Sequence, residues 1–209
     1  LVAELIQSRD TARLIDLFFK REDASKRPPA SGTPIPIPDA VVIGAGVMGS
    51  GIAHTLASRG IRVLMTDVAS DSLARAMERI RRLVSDAPRR RLVAKVQGRD
   101  TLDHIATTTE KVPLTRHHLL IEAATESMEL KKKIFADLAA RVSSDTILAT
   151  NTSALSVAEL AKSVPHPERV IGLHFLNPVH RMPLVEIITL SETSADVLAT
   201  AVSFVQKIG

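Results

Sequence analysis

Val41-Val42-Ile43-Gly44-Ala45-Gly46-Val47-Met48-Gly49-Ser50-Gly51 is the stretch that decides the fold. A β-branched apolar run stops at a glycine, and an amphipathic stretch follows to Arg59. Gly44, Gly46 and Gly49 fit the G-x-G-x-x-G spacing of a strand–turn–helix that binds a dinucleotide. In that motif Gly44 turns the chain tightly out of the strand. Gly46 lets a pyrophosphate approach bare backbone, and Gly49 lets the helix lie close on the sheet. The helix N-terminus adds free N–H groups and the positive end of its dipole.

Glycines at this spacing also occur in ordinary turns, so the flanking residues carry the weight. Arg62-Val63-Leu64-Met65-Thr66-Asp67 reads as a second strand ending in an acid, 18 residues after Gly49. An acid there accepts hydrogen bonds from the adenosine ribose and repels a 2′-phosphate, which favours NAD over NADP. Asp67 is also placed to cap a helix starting near Ser70, and the two roles are compatible.

Composition narrows the function classes. Hydrophobic residues make up 45% and charged residues 24% of the 209, as in ordinary globular proteins. There is no Cys, which removes disulfide and thiolate chemistry. No apolar run reaches the roughly 20 residues of a membrane span. No charged-then-apolar leader opens the chain, so a cytoplasmic, bacterial-type location is expected. The first residue is Leu1 rather than Met, which suits a piece of a longer protein. Net charge is +4, yet Tyr and Trp are absent and Phe numbers five, so stacking platforms for nucleic acid are scarce. The runs Arg89-Arg90-Arg91 and Lys131-Lys132-Lys133 read as solvated faces with a mild attraction for anions. No metal site is expected.

Residues 1–20 carry a helical apolar spacing through Val2, Leu5, Ile6, Leu14, Ile15, Leu17, Phe18 and Phe19. Residues 21–38 turn charged and then proline-rich, which predicts an extended linker and a boundary near residue 38. From Asp39 strands and helices alternate. Strands are expected near 40–44, 62–67, 105–107, 119–123, 146–150, 169–175 and 184–188. Helices are expected near 47–59, 70–85, 89–96, 128–142, 156–162 and 195–207. Leu130, Ile134, Phe135 and Leu138 mark the apolar face of the fourth. This alternation implies right-handed crossovers and a mostly parallel α/β sheet wound on both faces.

Ligands of such sheets bind beyond the carboxyl ends of the strands. The residues in those places are Glu122-Ala123-Ala124-Thr125-Glu126, Asn151-Thr152-Ser153 and His174-Phe175-Leu176-Asn177-Pro178. Glu186 lies inside the apolar strand Leu184-Val185-Glu186-Ile187-Ile188, where an acid is costly without a partner. A hairpin through 175–185 would set His174 opposite Glu186. Such a pair suits alcohol oxidation: a neutral His takes the hydroxyl proton and the carboxylate stabilises the imidazolium. Ser153 is placed to hold the alcohol oxygen, and Asn177 a carboxamide or substrate. A purely structural His–carboxylate pair fits the same residues. The other six histidines fall in the first helix or in polar loops and read as surface groups.

These motifs resemble the NAD-binding domain of the L-3-hydroxyacyl-CoA dehydrogenase family. The resemblance runs from about Ala40 to Gly209. It rests on the glycine block 44–51, Ile-Glu-Ala at 121–123, Glu126 with Leu130 to Phe135, Asn-Thr-Ser at 151–153, and the block from Gly172 to Glu186. Residues 86–104 do not share it. It implies a Rossmann-type fold and NAD-dependent oxidation of L-3-hydroxyacyl-CoA to 3-ketoacyl-CoA in fatty-acid β-oxidation. It puts the catalytic His at His174, its partner at Glu186 and the substrate-contacting Ser at Ser153. It puts cofactor contacts at Gly44, Gly46, Met48, Gly49, Asp67, Glu126, Lys131 and Asn177.

Residues 1–38 resemble the helix and linker that precede this domain in multifunctional fatty-acid oxidation proteins. The implied organisation is a helical segment with linker at 1–38 and a Rossmann domain at 39–209. The family's helical C-terminal domain would begin where the chain stops, so it is expected to be absent, and with it full activity. The implied partners are an acyl-CoA substrate, a second copy in a homodimer and, in the parent protein, a thiolase subunit. A stand-alone 3-hydroxybutyryl-CoA dehydrogenase and a non-catalytic NAD-binding domain are the alternatives.

Overall fold

The computed structural model describes residues 31–86 and 92–208, and in the first thirty positions residues 8, 11–13, 15, 16 and 19. It divides into two units, Leu1–Ala30 and Ser31–Gly209. In the first, the described residues 11–13, 15, 16 and 19 are helical. Ser8 opens the turn, its Oγ accepting the Thr11 N–H at 3.1 Å. The rest of the helix expected over 1–20, and the linker over 21–30, lie outside the described residues, as do Arg89-Arg90-Arg91.

The second unit alternates as the sequence predicts. Its strands are β1 (Asp39–Ile43), β2 (Arg62–Thr66), β3 (Ile105–Thr108), β4 (Leu119–Glu122), β5 (Ile147–Thr150), β6 (Val170–Phe175) and β7 (Val185–Ile188). Its helices are α1 (Val47–Ser58), α2 (Ser70–Asp86), α3 (Leu92–Asp103), α4 (Met128–Ala139), α5 (Val157–Ala161) and α6 (Ala195–Ile208). Only α3 departs clearly, extending to Asp103 where the expected helix stops near Val96.

One seven-stranded sheet has the order β3-β2-β1-β4-β5-β6-β7. All neighbours pair in parallel except β6 and β7. Every residue of β4 and β5 is buried, as expected of central parallel strands covered on both faces. Alternation along the strands feeds two cores. Val42, Ile121 and Phe175 pack with Ile52, Leu56, Ile80 and Phe204 from α1, α2 and α6. Val41, Leu120 and Leu148 pack with Phe135, Leu138 and Val157 from α4 and α5. The second unit is therefore a doubly wound Rossmann-type α/β domain, and its winding reverses between β1 and β4. A ligand crevice is expected at that reversal.

The segment before β1 is tied to α6. The Thr33 N–H donates to Asp196 Oδ1 at 2.7 Å and the Ile35 N–H to Thr200 Oγ1 at 3.1 Å. Helix α4 corrects one expectation. Leu130 is exposed, and Lys131 takes the buried stripe with Phe135 and Leu138. That stripe follows i, i+4, i+7 spacing, so the lysine run is not a uniform solvated face.

Candidate active site

The glycine loop has the shape its spacing demands. Gly44 has φ +99°, and a Cβ there would lie 2.8 Å from the Ala123 carbonyl oxygen. At Gly49 a Cβ would sit 1.8 Å from the Gly44 oxygen, so only glycine fits between loop and helix. At Gly46 a Cβ would meet nothing within 4 Å. This is bare backbone facing open space, as a phosphate cradle requires. Gly46 is also the N-cap of α1 and brings no side-chain cap, so the first turn is not covered by a cap side chain. Met48 lies in that turn, partly buried against the core.

Asp67 follows β2 and supports the β1 side of the crevice. Its Oδ2 accepts the Ala45 N–H at 2.8 Å and its Oδ1 the Ala69 N–H at 3.0 Å. One carboxylate thus holds the glycine loop and the turn that enters α2.

Beneath the next loops lies a buried ionic network. Glu122, the last residue of β4, and Lys131 of α4 are each 1% exposed. The Lys131 ammonium donates to both Glu122 oxygens at 2.8 Å. Thr150 Oγ1 and the Ala124 N–H complete the carboxylate's bonds, both at 2.7 Å. Lys131 Nζ also lies 3.4 Å from Glu126 Oε2. Glu126 in turn accepts from the Thr152 hydroxyl and from the Ser153 N–H, the latter at 3.1 Å. The buried pair therefore positions Glu126, and Glu126 positions Ser153.

Burial alone would raise the Glu126 carboxyl, but the Thr152 hydroxyl, Lys131 and the Ser153 N–H outweigh it and hold it below its ordinary 4.5. A carboxyl depressed on folding adds stability that is complete above the unfolded value and fades as pH falls through the folded one. Wild type is therefore expected to lose melting temperature faster than Glu126→Gln as pH drops below about 4.5. Parallel pH profiles for the two proteins would count against the network.

At the far end of the same sheet edge, β6 and β7 form the expected hairpin. His174 pairs in register with Glu186, and Nδ1 lies 2.7 Å from Glu186 Oε2. A carboxylate can only accept, so Nδ1 carries a proton, and in the neutral form of the ring Nε2 is the nitrogen left to accept. Beside them Asn151 Oδ1 accepts the Phe175 N–H at 2.8 Å, tying the end of β5 to the end of β6. Asn177 is exposed in the following loop and joins Pro178 through a cis peptide bond.

The family model of the 3-hydroxyacyl-CoA dehydrogenase NAD binding domain matches residues 39–209. The chain belongs to this family. The fatty acid oxidation complex subunit alpha of Acinetobacter baylyi is 39% identical over 174 residues, which are 83% of this chain and 24% of that protein. Its Vibrio cholerae counterpart is 34% identical over 208 residues, 99% of this chain and 29% of that protein. The chain thus spans about a quarter of the length of the curated relatives it matches. Among solved structures, 3-hydroxybutyryl-CoA dehydrogenase from Escherichia coli superposes with a TM-score of 0.79 at 38% identity, covering 84% of this chain and 37% of that one. The (S)-3-hydroxybutyryl-CoA dehydrogenase of Ralstonia eutropha gives 0.80 at 31%, covering 83% and 62%.

In this 3-hydroxyacyl-CoA dehydrogenase NAD-binding domain the predicted site residues gather at one edge of the sheet. They fall into three groups: the glycine loop with Asp67; Glu126, Lys131 and Ser153; and His174 with Glu186 and Asn177. Three contributors were not assigned from the sequence: Glu122, Thr152 and Asn151. Glu122 carried a signal. It is an acid closing an apolar strand, the same feature that marked Asp67. Among the described residues no helix is long and apolar enough to cross a membrane.

Proposed function

We propose that this domain binds NAD and forms the dehydrogenase half-site for oxidising L-3-hydroxyacyl-CoA to 3-ketoacyl-CoA in fatty-acid β-oxidation. The observation that carries the reading is the His174–Glu186 pair, ending β6 on the same sheet edge as the glycine loop. Gly44, Gly46, Met48 and Gly49 hold the pyrophosphate, and Asp67 the adenosine ribose. Glu126 and Asn177 are further cofactor contacts, and Lys131 joins them through Glu126. NAD supplies the hydride acceptor when bound.

His174 takes the substrate hydroxyl proton at Nε2. Glu186 keeps Nδ1 protonated and balances the imidazolium that results. Ser153, held by Glu126, steadies the reacting oxygen. The Vibrio cholerae alpha subunit aligns with 99% of this chain, residues before 39 included. This favours a multifunctional parent over a stand-alone 3-hydroxybutyryl-CoA dehydrogenase. In that parent the domain is cytoplasmic and bacterial, and works with an acyl-CoA substrate, in a homodimer and beside a thiolase subunit.

The test is calorimetric titration with NAD and with NADP. A 2′-phosphate beside the Asp67 carboxylate costs on the order of 1–2 kcal/mol in a partly exposed crevice. NAD is therefore expected to bind about tenfold tighter or more. Equal affinities, or tighter NADP binding, would overturn the assignment of Asp67, and no NAD binding at all would overturn the function.

A further inference from the structure

Arg79 reaches across from α2 into the glycine loop. Its Nη2 donates to the Ala45 carbonyl oxygen at 2.6 Å and its Nε to Ser50 Oγ at 3.1 Å. Ser50 is 2% exposed and passes the contact on, its hydroxyl donating to the Gly46 carbonyl oxygen at 2.7 Å. Asp67 meanwhile holds the Ala45 N–H at 2.8 Å. Three side chains therefore grip the backbone of two successive loop residues.

The grip has a directional consequence. A trans peptide is planar, with its carbonyl and its N–H pointing opposite ways. Turning the Ala45 carbonyl toward Arg79 sends the Gly46 N–H away from it. The Gly46 carbonyl is held the same way by the helix itself, accepting the Ser50 N–H at 3.0 Å with the Ser50 hydroxyl in support, and this turns the Val47 N–H away from it. Both donors are thereby turned away from these carbonyl oxygens' partners, and no side chain at Gly46 obstructs an approaching anion. An Ala45 carbonyl free to flip would present oxygen to an anion instead. Both acceptors of Arg79 are neutral oxygens, so these contacts leave its positive charge uncancelled beside the loop.

We propose that Arg79 is a positioning residue for the dinucleotide site: with Ser50 it locks the glycine loop with its N–H groups turned toward the pyrophosphate. The proposal rests on the NAD-binding reading above. It gives Arg79 no contact with the reacting atoms. A lysine keeps the charge but lacks the planar fork that spans two oxygens on different turns.

The experiment titrates wild type, Arg79→Ala and Arg79→Lys in the full chain with NAD and with adenosine, which has no pyrophosphate. Circular dichroism and melting curves check folding. In Arg79→Ala, NAD affinity is expected to fall about tenfold or more, the loss of a charge-assisted hydrogen bond. Adenosine affinity is expected to stay within about twofold. Arg79→Lys should lose NAD affinity severalfold and keep adenosine binding, and it decides the matter if the alanine variant does not fold. Unchanged NAD affinity in the folded variants would overturn the proposal. So would equal losses for NAD and adenosine, which mark general loosening. If wild type binds no NAD, the underlying reading falls and takes this role of Arg79 with it.

Discussion

His174→Ala in the full-length protein is expected to lower turnover about 10²–10⁴-fold, the usual worth of a general base, while NAD affinity stays near wild type. The melting temperature should also change little. Glu186 keeps 56% of its side chain exposed, and even a charged pair so open contributes only about 0–1 kcal/mol to folding. This combination separates the two readings of the pair. A structural pair would give altered melting with intact turnover; a catalytic pair gives the reverse. Glu186→Gln should cost less than His174→Ala. The amide oxygen still accepts from Nδ1, but no negative charge balances the imidazolium as the proton arrives. Acetoacetyl-CoA reduction with NADH, followed by absorbance, reads all three proteins. A His174→Ala enzyme running at the wild-type rate would refute the mechanism.

Glu122→Leu is expected to destabilise the domain by about 3–5 kcal/mol, because it strands the Lys131 ammonium in the interior. Lys131 is 1% exposed, and its remaining carboxylate, Glu126 at 3.4 Å, is the weaker partner. The Thr150 hydroxyl and the Ala124 N–H would lose their acceptor as well. Adding Lys131→Met to Glu122→Leu should recover much of the loss, since an apolar pair of similar volume carries no desolvation cost. Urea unfolding of the two single variants and the double variant measures this cycle. A cost below about 1 kcal/mol for Glu122→Leu would mean that the pair is hydrated and does not anchor Glu126 and Ser153.

Much of the architecture was legible because it is written in local chemistry. The run Val41-Val42-Ile43 ends at Gly44 since the turn needs φ +99°, and Gly49 recurs five residues later since a Cβ there would strike the Gly44 oxygen. Strand and helix periods carried the remaining elements to within a few residues, apart from α3. The apolar setting of Glu186 exposed its need for a partner, and the short connection to β6 made His174 the obvious one. Asp67 was legible as the acid closing β2, because the spacing from the glycine loop is set by one helix and one strand.

What the sequence by itself determined was therefore the alternation of strands and helices, the dinucleotide loop, and which polar residues stand at the carboxyl edge of the sheet. Tertiary structure alone decided which of those groups are held by others. Lys131 looked like the first of three solvated lysines, and only the packing of α4 on β4 turns it inward to Glu122. Arg79 looked like one arginine among several on a charged helix, and only the crossing of α2 over the start of α1 brings it to the Ala45 carbonyl, 34 residues away in the chain. Glu126 and Ser153 are joined across 27 residues because β4 and β5 are neighbours in the sheet. The physical reason is common to all three. Periodicity reports the solvent preference of a residue on its own element, whereas a buried charge is placed by the element it packs against.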